Sequence, residues 1–131
     1  MIFADTGALF AYAIPDDEHH RKAQKWVRKN RVPLMTTDYI IDEMLTLIRA
    51  RGQAIRALQM GELLFTGQVA IIYYLTEEDI LAAWEVFRTY SDKEWSFTDC
   101  TSKIVIEKLE LTYAFAFDQH FRQFGTVTVV P

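Results

Sequence analysis

The sequence predicts an α/β protein built around a parallel sheet. Short apolar runs at residues 2–4, 69–75 and 113–117 are typical of buried strands. The stretches between them carry apolar residues at helical spacing, as in the repeat that begins at Ile41. Strands that alternate with helical segments favour parallel strands joined by helical crossovers. We therefore expect a sheet that is covered by helices on both faces.

The N-terminal half of the chain is expected to contain two strands and four helices. Asp5 and Gly7 mark the turn after the first strand, and Pro15 breaks the chain before a strongly cationic helix. Gly52 and Gly67 end the third and fourth helices. The predicted elements are a strand at 2–4, helices at 8–13 and 18–30, a strand at 34–36, and helices at 38–51 and 53–65.

The C-terminal half is expected to contain three strands and two helices. Residues 69–75 are β-branched, aromatic and apolar throughout, which makes them the clearest strand pattern in the chain. Thr76 and the acids that follow it form a capping-box pattern, so the acids at 77–79 are assigned to helix capping. The remaining predicted elements are a helix that begins at Thr98 and strands at 113–117 and 127–130.

The composition fits one domain over residues 1–131 and excludes several classes of protein. Half of the residues (50%) are hydrophobic, which is enough to form a core at this length. The single Cys100 cannot form an internal disulfide and is expected in the core. Nothing at the N-terminus resembles a signal peptide, so we expect a reduced, cytoplasmic setting. The longest apolar runs fall far short of the roughly 20 residues of a membrane span.

Four acidic residues are placed where a parallel sheet binds its ligands. Asp5 and Asp118 follow predicted strands, whose carboxyl ends lie at one edge of the sheet. Asp99 lies in the first turn of a helix, and Glu43 flanks the apolar side of its helix, which makes it half-buried. Converging carboxylates repel one another unless a cation compensates them. Mg²⁺ or Mn²⁺ held by these oxygens would activate water for attack on a phosphodiester.

Each of these acids also has a purely structural interpretation. Asp5 could serve only as the N-cap of the first helix, and Asp118 could cap a short terminal helix. Asp99 could stabilise a helix N-terminus and pair with Lys103 one turn later. Glu43 could be a surface acid. Spacing alone therefore does not decide between a metal site and four separate structural roles.

Five short motifs surround the four acids. They are Asp5-Thr6 after an apolar strand, Asp17-x-x-His20-x-x-Ala23, Thr36-Thr37 before Glu43, Ser96-Phe97-Thr98-Asp99, and Phe115-x-Phe117-Asp118-x-His120-Phe121. In this order the motifs resemble those of the PIN-domain family, and in particular the VapC-type ribonuclease toxins of bacterial toxin–antitoxin pairs. The resemblance extends over essentially the whole chain.

That resemblance implies a three-layer α/β/α sandwich with a central, mostly parallel sheet. It also implies a Mg²⁺- or Mn²⁺-dependent endoribonuclease that hydrolyses single-stranded RNA or exposed RNA loops. By their positions in the motifs, Asp5 and Asp99 would be the principal metal ligands. Glu43 and Asp118 would complete the catalytic set, directly or through water. The hydroxyls of Thr6 and Thr98 would support the site.

One departure from the family pattern and several neighbouring residues bear on the site. Gly7 stands where many relatives have a serine, so a hydroxyl near the site is missing. Because all the implied ligands are oxygen atoms, His19, His20 and His120 are interpreted as helix-surface or tail-packing residues. Trp95 is expected in the core or in a partner contact, and stacking on an RNA base is its alternative role.

The resemblance also implies partners. A VapC-type toxin is held inactive by a small cognate antitoxin, a VapB-like protein. Homodimers are usual, and the apolar helices at 44–65 offer a surface for a partner. Cations that could contact RNA form two groups, Arg21, Lys22, Lys25, Arg28, Lys29 and Arg31, and Arg49, Arg51 and Arg56. Solvated helix faces explain both groups equally well.

Other classes of protein fit the sequence less well. A receiver domain places an acceptor Asp at the end of its central strand, whereas residues 69–75 end in Thr76. A haloacid-dehalogenase-type phosphatase has two Asp separated by one residue after its first strand, whereas this chain has Asp5-Thr6-Gly7. A non-catalytic PIN-type module that binds RNA or protein is the remaining alternative. It predicts the loss of at least one acid, and all four are present.

The net charge of -4 does not exclude a polyanionic substrate. The chain has 18 Asp and Glu residues, so removing the four proposed site acids leaves 14, which balance the 14 Lys and Arg residues. The excess of negative charge therefore equals that of the proposed site.

Overall fold

The structure, a computed structural model, describes all 131 residues and contains five strands and seven helices. The strands are β1 (Ile2–Ala4), β2 (Leu34–Thr37), β3 (Ile71–Tyr73), β4 (Tyr113–Phe115) and β5 (Thr128–Val130). The helices are α1 (Thr6–Ala13), α2 (His20–Lys29), α3 (Asp38–Ala50), α4 (Ala54–Phe65), α5 (Glu77–Thr89), α6 (Phe97–Lys108) and α7 (His120–Gln123). None of the helices has both the length and the apolar character that a bilayer-spanning segment requires.

All five strands form one parallel sheet in the order β3-β2-β1-β4-β5. Crossovers between parallel strands are right-handed, so those from β1 to β2 and from β2 to β3 place α1–α4 on one face of the sheet. The chain then returns to β4 and β5, which places α5–α7 on the other face. The helix contacts agree, because α1 packs on α2 and α3, and α6 packs on α5 and α7. The predicted α/β/α class is confirmed, with a sheet that is wholly parallel.

The core follows from the alternation of side chains along β1 and β4. Ala4 pairs with Phe115, whereas the side chain of Phe3, one residue earlier, points to the opposite face of the sheet. On one face Phe115 stacks on Trp26 of α2, with ring centroids 4.5 Å apart. On the other face Phe3 packs against Phe121 of α7. Each helical layer is thus anchored to a central strand by an aromatic pair.

The largest differences between the predicted and observed element boundaries concern three elements. The strand predicted at 69–75 contributes only Ile71–Tyr73, because β3 lies at the edge of the sheet and pairs only with residues 35–37 of β2. The strand predicted at 113–117 ends at Phe115, and the first helix begins at Thr6 rather than at residue 8. An edge strand has a single neighbour, so its length is limited by that neighbour and not by its own apolar run.

The edge position of β3 also changes the argument against a receiver domain. Residues 69–75 are not part of a central strand, so their lack of an acid does not decide the question. The strand order does decide it, since the receiver type of sheet follows the order 2-1-3-4-5 and this sheet follows 3-2-1-4-5.

Asp79 joins β3, α5 and α6 in a polar network. Its carboxylate accepts hydrogen bonds from the Tyr73 hydroxyl at 2.7 Å, the Thr76 backbone N–H at 3.0 Å and Lys108 Nζ at 3.0 Å. Burial opposes the charge of Asp79, but these hydrogen bonds outweigh it and lower the pKa to about 2. The predicted capping role is confirmed, and the same side chain also ties α5 to α6.

Asp79→Asn is expected to lower the free energy of unfolding at neutral pH by about 1–2 kcal/mol, because charge-assisted hydrogen bonds are lost. The pKa of Asp79 in the folded protein, about 2, lies below its ordinary value of 3.8. The charge of Asp79 therefore stabilises the wild type above pH 3.8, and this stabilisation is lost as the pH falls towards 2. Urea unfolding of both proteins across this range measures the difference. Glu78→Gln, on an exposed acid of the same turn, should change stability by less than about 0.5 kcal/mol. An equal loss in both variants would contradict the role of the network.

Candidate active site

The candidate active site lies between β1 and β4, where the connections leave the sheet towards opposite sides. The crossover after β1 leads to β2, whereas β4 lies on the other side of β1. The loops that follow β1 and β4 therefore diverge and leave a crevice at the carboxyl ends of these strands. Asp5 directly follows β1, and its backbone N–H donates to the carbonyl of Phe115 at 3.0 Å. Asp118 follows β4 after two further residues.

The crevice contains a cavity of about 340 Å³ whose wall has no apolar side chain. The turns after β1 and β4, helix α3 and the start of α6 all contribute to it. The lining residues are Asp5, Thr6, Gly7, Glu43, Glu94, Ser96, Asp99, Asp118 and His120. The structure thus brings the four acids selected from the sequence to one cavity.

Asp5 is the most buried of the four acids, with 5% of its surface exposed. It occupies the N-cap position of α1, but its side chain accepts no capping hydrogen bond, so capping does not explain it. Burial raises the pKa of Asp5 to about 8, and the negative charge of Asp99 adds to this effect. Asp118 and Glu43 act in the same direction, whereas the Thr6 backbone N–H acts against it. A charge on Asp5 therefore needs a compensating cation.

His120 joins Asp99 to Asp118. Its Nδ1 atom lies 3.0 Å from Asp99 Oδ2 and 3.4 Å from Asp118 Oδ1. Its backbone N–H donates to Asp118 Oδ1 at 2.9 Å. Asp99 Oδ2 also accepts the Ser96 backbone N–H at 3.0 Å, within the capping box of α6. Asp99 therefore does cap its helix, through Oδ2, while Oδ1 makes no hydrogen bond.

The other interpretation of Asp99, an ion pair with Lys103, is wrong. Lys103 instead pairs with Glu107, one turn further along α6. The Lys103 side chain is largely buried and lies over the Tyr90 ring, with Nζ 5.8 Å from its centroid. No cationic side chain of α6 therefore neutralises Asp99.

Glu43 and the two threonines differ in how they meet the cavity. Glu43 is half-buried on α3, as predicted, and forms no ion pair. Thr6 is buried in the cavity wall, and its Oγ1 has no hydrogen-bond partner. Thr98 does not line the cavity, and its carbonyl accepts a hydrogen bond from the Thr101 hydroxyl within the helix. Of the two predicted hydroxyls, the structure brings only Thr6 to the acids.

The selection of site residues from the sequence omitted Glu94 and His120, which also line the cavity. Tail packing does not account for His120, because its ring contacts two of the acids. A signal was present, since His120 comes two residues after Asp118 at the first turn of a short helix. Glu94 lies in the polar loop before α6 and has no motif to mark it.

Trp95 and Cys100 do not belong to the site. Trp95 is 6% exposed, and its Nε1 donates to Gln123 Oε1 at 2.8 Å, so the alternative of base stacking is wrong and the core interpretation is confirmed. Cys100 is 1% exposed, and burial together with the charge of Asp99 raises the pKa of its thiol to about 11. A thiol that stays protonated in the core is not a nucleophile.

The Asp17 to His20 part of the second motif has a structural role. Asp17 Oδ2 accepts the His19 backbone N–H at 2.9 Å where α2 begins. His20 Nδ1 lies 2.7 Å from the carbonyl of Ala11, which connects α2 to α1. The interpretation of His20 as a residue outside the site is consistent with this contact.

The donor set of the cavity suits a hard divalent cation. Carboxylate oxygens and a hydroxyl are the ligands that Mg²⁺ and Mn²⁺ prefer. No three His, Cys, Asp or Glu side chains stand close enough to form a complete coordination shell by themselves. Mg²⁺ commonly uses one or two carboxylates and retains several waters, so a complete protein shell is not required. The buried Asp5 and the unpartnered hydroxyl of Thr6 both fit a hydrated cation.

The parallel sheet has an acidic cavity at the switch point, the place between β1 and β4 where the connecting loops diverge. These features define a class of α/β/α domains with a charged site at the carboxyl ends of the strands. The chain belongs to the PIN-domain family, because residues 2–127 match the PIN domain. It is 32% identical over 132 residues to the 23S rRNA-specific endonuclease VapC20 of Mycobacterium tuberculosis, with 100% of this chain and 99% of that protein covered. It is 33% identical over 118 residues to a VapC ribonuclease of Archaeoglobus fulgidus, with 82% and 70% covered.

Solved structures support the same assignment. The crystal structure of Mycobacterium tuberculosis VapC20, described as a Sarcin-Ricin loop cleaving toxin, matches with a TM-score of 0.93 and 28% identity over 100% of both chains. FitAcB from Neisseria gonorrhoeae matches with a TM-score of 0.69 and 14% identity, over 100% of this chain and 97% of that one. The second match concerns the fold alone. The resemblance to VapC-type proteins is confirmed, and the names of the relatives support a nuclease.

Asp5→Asn is expected to stabilise the protein at neutral pH in EDTA, because the Asp5 carboxyl must take up a proton or bury a charge on folding, whereas an amide does neither. The pKa of Asp5 in the folded protein, about 8, lies above its ordinary value of 3.8. Asp5 therefore does not destabilise the wild type below pH 3.8, and its destabilising effect grows as the pH rises towards 8. Thermal melts should give a Tm higher by about 3–5 °C for the variant near pH 8, which corresponds to roughly 1 kcal/mol in a domain of this size.

Mg²⁺ should then raise the Tm of the wild type more than that of Asp5→Asn, since a cation that binds the folded state stabilises it. Asp42→Asn, on an exposed acid of α3, is the matched control and should behave as the wild type does. The same response to Mg²⁺ in wild type and Asp5→Asn would contradict a cation site at Asp5.

Proposed function

We propose that this protein is a divalent-metal-dependent endoribonuclease that hydrolyses RNA phosphodiester bonds with a metal-activated water. The observation that carries the proposal is the burial of Asp5 among three other acids at the switch point of a PIN fold. Such a cavity repels phosphate until a cation compensates its charge. The ribonuclease names of two relatives support RNA as the substrate.

The proposed ligands of the cation are Asp5 and Asp99, with Glu43 and Asp118 completing the set directly or through water. When bound, Mg²⁺ or Mn²⁺ supplies an acidified water and stabilises the charge on the leaving oxygen. Asp99 can bind through Oδ1, because its Oδ2 is already held by hydrogen bonds. Asp5 loses its tendency to take up a proton once a cation lies beside it.

Two further residues are proposed to position the reacting groups. His120 contacts Asp99 and Asp118 at once, so it holds the two carboxylates at a constant separation. The Thr6 hydroxyl, buried without a partner, is placed to hydrogen-bond a water or a phosphate oxygen in the cavity. Thr98, which does not line the cavity, is left out of this mechanism.

An RNA loop is the proposed substrate. The Lys and Arg side chains of α2 are all exposed and none pairs with an acid, so this helix offers a cationic surface for the RNA backbone. VapC20 of Mycobacterium tuberculosis is described as 23S rRNA-specific and as cleaving the sarcin-ricin loop. A hairpin that carries this loop is therefore the first substrate to test.

We also propose that the protein is the toxin of a toxin–antitoxin pair, acts in the cytoplasm, forms a homodimer and is inhibited by a small VapB-like antitoxin. Two exposed apolar surfaces support contacts with partner chains. One includes Ile55, Leu58 and Phe65 of α4, next to a cavity of about 510 Å³ between α3 and α4, and the other includes Leu81, Trp84 and Phe87 of α5.

RNA cleavage with and without EDTA tests the proposed reaction. We expect wild type to cleave the hairpin only with Mg²⁺ or Mn²⁺, and Asp5→Asn and Asp99→Asn to lose about a hundredfold or more of the rate, since each removes a ligand charge. Asp42→Asn, which changes an exposed acid outside the cavity, should keep full activity. Cleavage in EDTA, or full activity in both site variants, would refute the mechanism. RNA binding without cleavage would favour the non-catalytic module.

Co-expression with the product of a short adjacent reading frame tests the toxin proposal. We expect the two proteins to copurify and the partner to suppress cleavage, with sedimentation giving a dimer of this chain. Replacement of exposed Leu58 by Glu should weaken one of these assemblies, because it places a charge in an apolar contact surface. A monomer that ignores the adjacent product would count against the proposal.

A further inference from the structure

A second cavity, of about 310 Å³, adjoins the acidic one and has a different chemistry. The two cavities share Gly7 and Asp118, so they lie side by side, and the second cavity is here called the groove. The other residues that line the second cavity are Phe10, Asp17, His19, Leu47, Arg51 and Phe117. Ligand-binding pockets have volumes of roughly 300–1,000 Å³, so the volume of this cavity lies at the lower end of that range. It suits a single nucleotide.

Arg51 is the only cationic Lys or Arg side chain of this second cavity. It follows the last residue of α3, and its guanidinium lies over the Phe10 ring, 5.2 Å from the ring centroid. Arg51 forms no salt bridge, although Asp17 and Asp118 line the same cavity. Its donors are therefore available to a phosphate oxygen.

An aromatic pair forms another part of the wall. The rings of His19 and Phe117 are stacked, with centroids 4.5 Å apart and planes within 3°. Phe117 directly precedes Asp118, so the stack begins beside the acidic cavity. The His19 side chain is 42% exposed, which leaves room for a further ring to extend the stack. Nucleic-acid bases bind single-stranded sites by stacking of this kind.

We propose that this groove binds the nucleotide next to the scissile phosphate, with Arg51 on its phosphate and the His19–Phe117 pair against its base. The proposal rests on RNA cleavage in the adjoining acidic cavity. The boundary between the cavities supports it, because Gly7 has no side chain that would narrow the passage from one to the other.

Arg51→Gln tests the phosphate contact. With single-stranded RNA and Mg²⁺, we expect KM to rise about tenfold while kcat changes little, because a charge-assisted contact outside the reacting atoms is lost. The slope of log KM against log salt should fall by about 0.7, since one phosphate fewer is neutralised. Arg88→Gln is the matched control. It removes the same charge from an exposed position of α5 that lines neither cavity, so both quantities should stay unchanged.

His19→Ala tests the stacking contact. It should weaken binding of RNA by at least about fivefold. An RNA with an abasic nucleotide on one side of the cleaved bond should bind wild type and His19→Ala equally well, because the base that stacks is already absent. Both neighbouring positions are tested in turn. A defect of His19→Ala that persists with both abasic RNAs would overturn the stacking contact.

Binding of a fluorescent single-stranded octaribonucleotide to Asp5→Asn, with and without Arg51→Gln, separates the groove from the chemistry. Weaker binding of the double variant supports the groove even where the wild type cleaves no RNA, a result that would refute only the proposed function. Equal KM, salt slope and binding for Arg51→Gln and Arg88→Gln would overturn the groove while cleavage remains. Arg51→Lys, which keeps the charge, should restore the salt slope and shows that the effect is not one of misfolding.

Discussion

The pairing of β1 with β4 is the constraint on which the candidate site depends. It places these two parallel strands side by side, although the connections that follow them lead to opposite sides of the sheet. A crevice is therefore left at their carboxyl ends. The same pairing holds the backbone N–H of Asp5 on the carbonyl of Phe115. Asp5 is thereby kept at a buried position where its charge is unfavourable, which is tolerated because the rest of the sheet is well packed.

The other acids reach the cavity by different physical routes. Asp99 arrives through a capping box, so one of its oxygens stabilises α6 and the other is left for chemistry. Asp118 is tied to His120 by a turn that ends in α7. Glu43 projects from the middle of a long helix and has no hydrogen bond to position it. Asp99 and Asp118 are therefore held by hydrogen bonds, whereas Glu43 is free to adjust its rotamer when a ligand enters.

Much of the fold and the four acids could be predicted because they depend on local signals. Apolar runs, helical repeats and acids after strands all follow from periodicity and chain order. The length of β3 could not be predicted, because an edge strand depends on its neighbour. Glu94 could not be selected either, since it reaches the cavity only through tertiary packing. His120 had a local signal, its place two residues after Asp118, but the contact of its ring with Asp99 depends on tertiary packing. The exclusion of Thr98 also depends on packing, because the placement of α6 decides which of its side chains face the cavity.

The central position of β1 has a consequence for biosynthesis. β4 (residues 113–115) is synthesised long after its neighbour in the sheet, β1 (residues 2–4). Contacts between such distant segments form late in folding. The cavity also requires Asp118 and His120, so no nascent chain that lacks these residues contains the acidic pocket. For an enzyme of the proposed kind, the order of the strands therefore delays the appearance of activity until the segment from β4 to His120 has been synthesised.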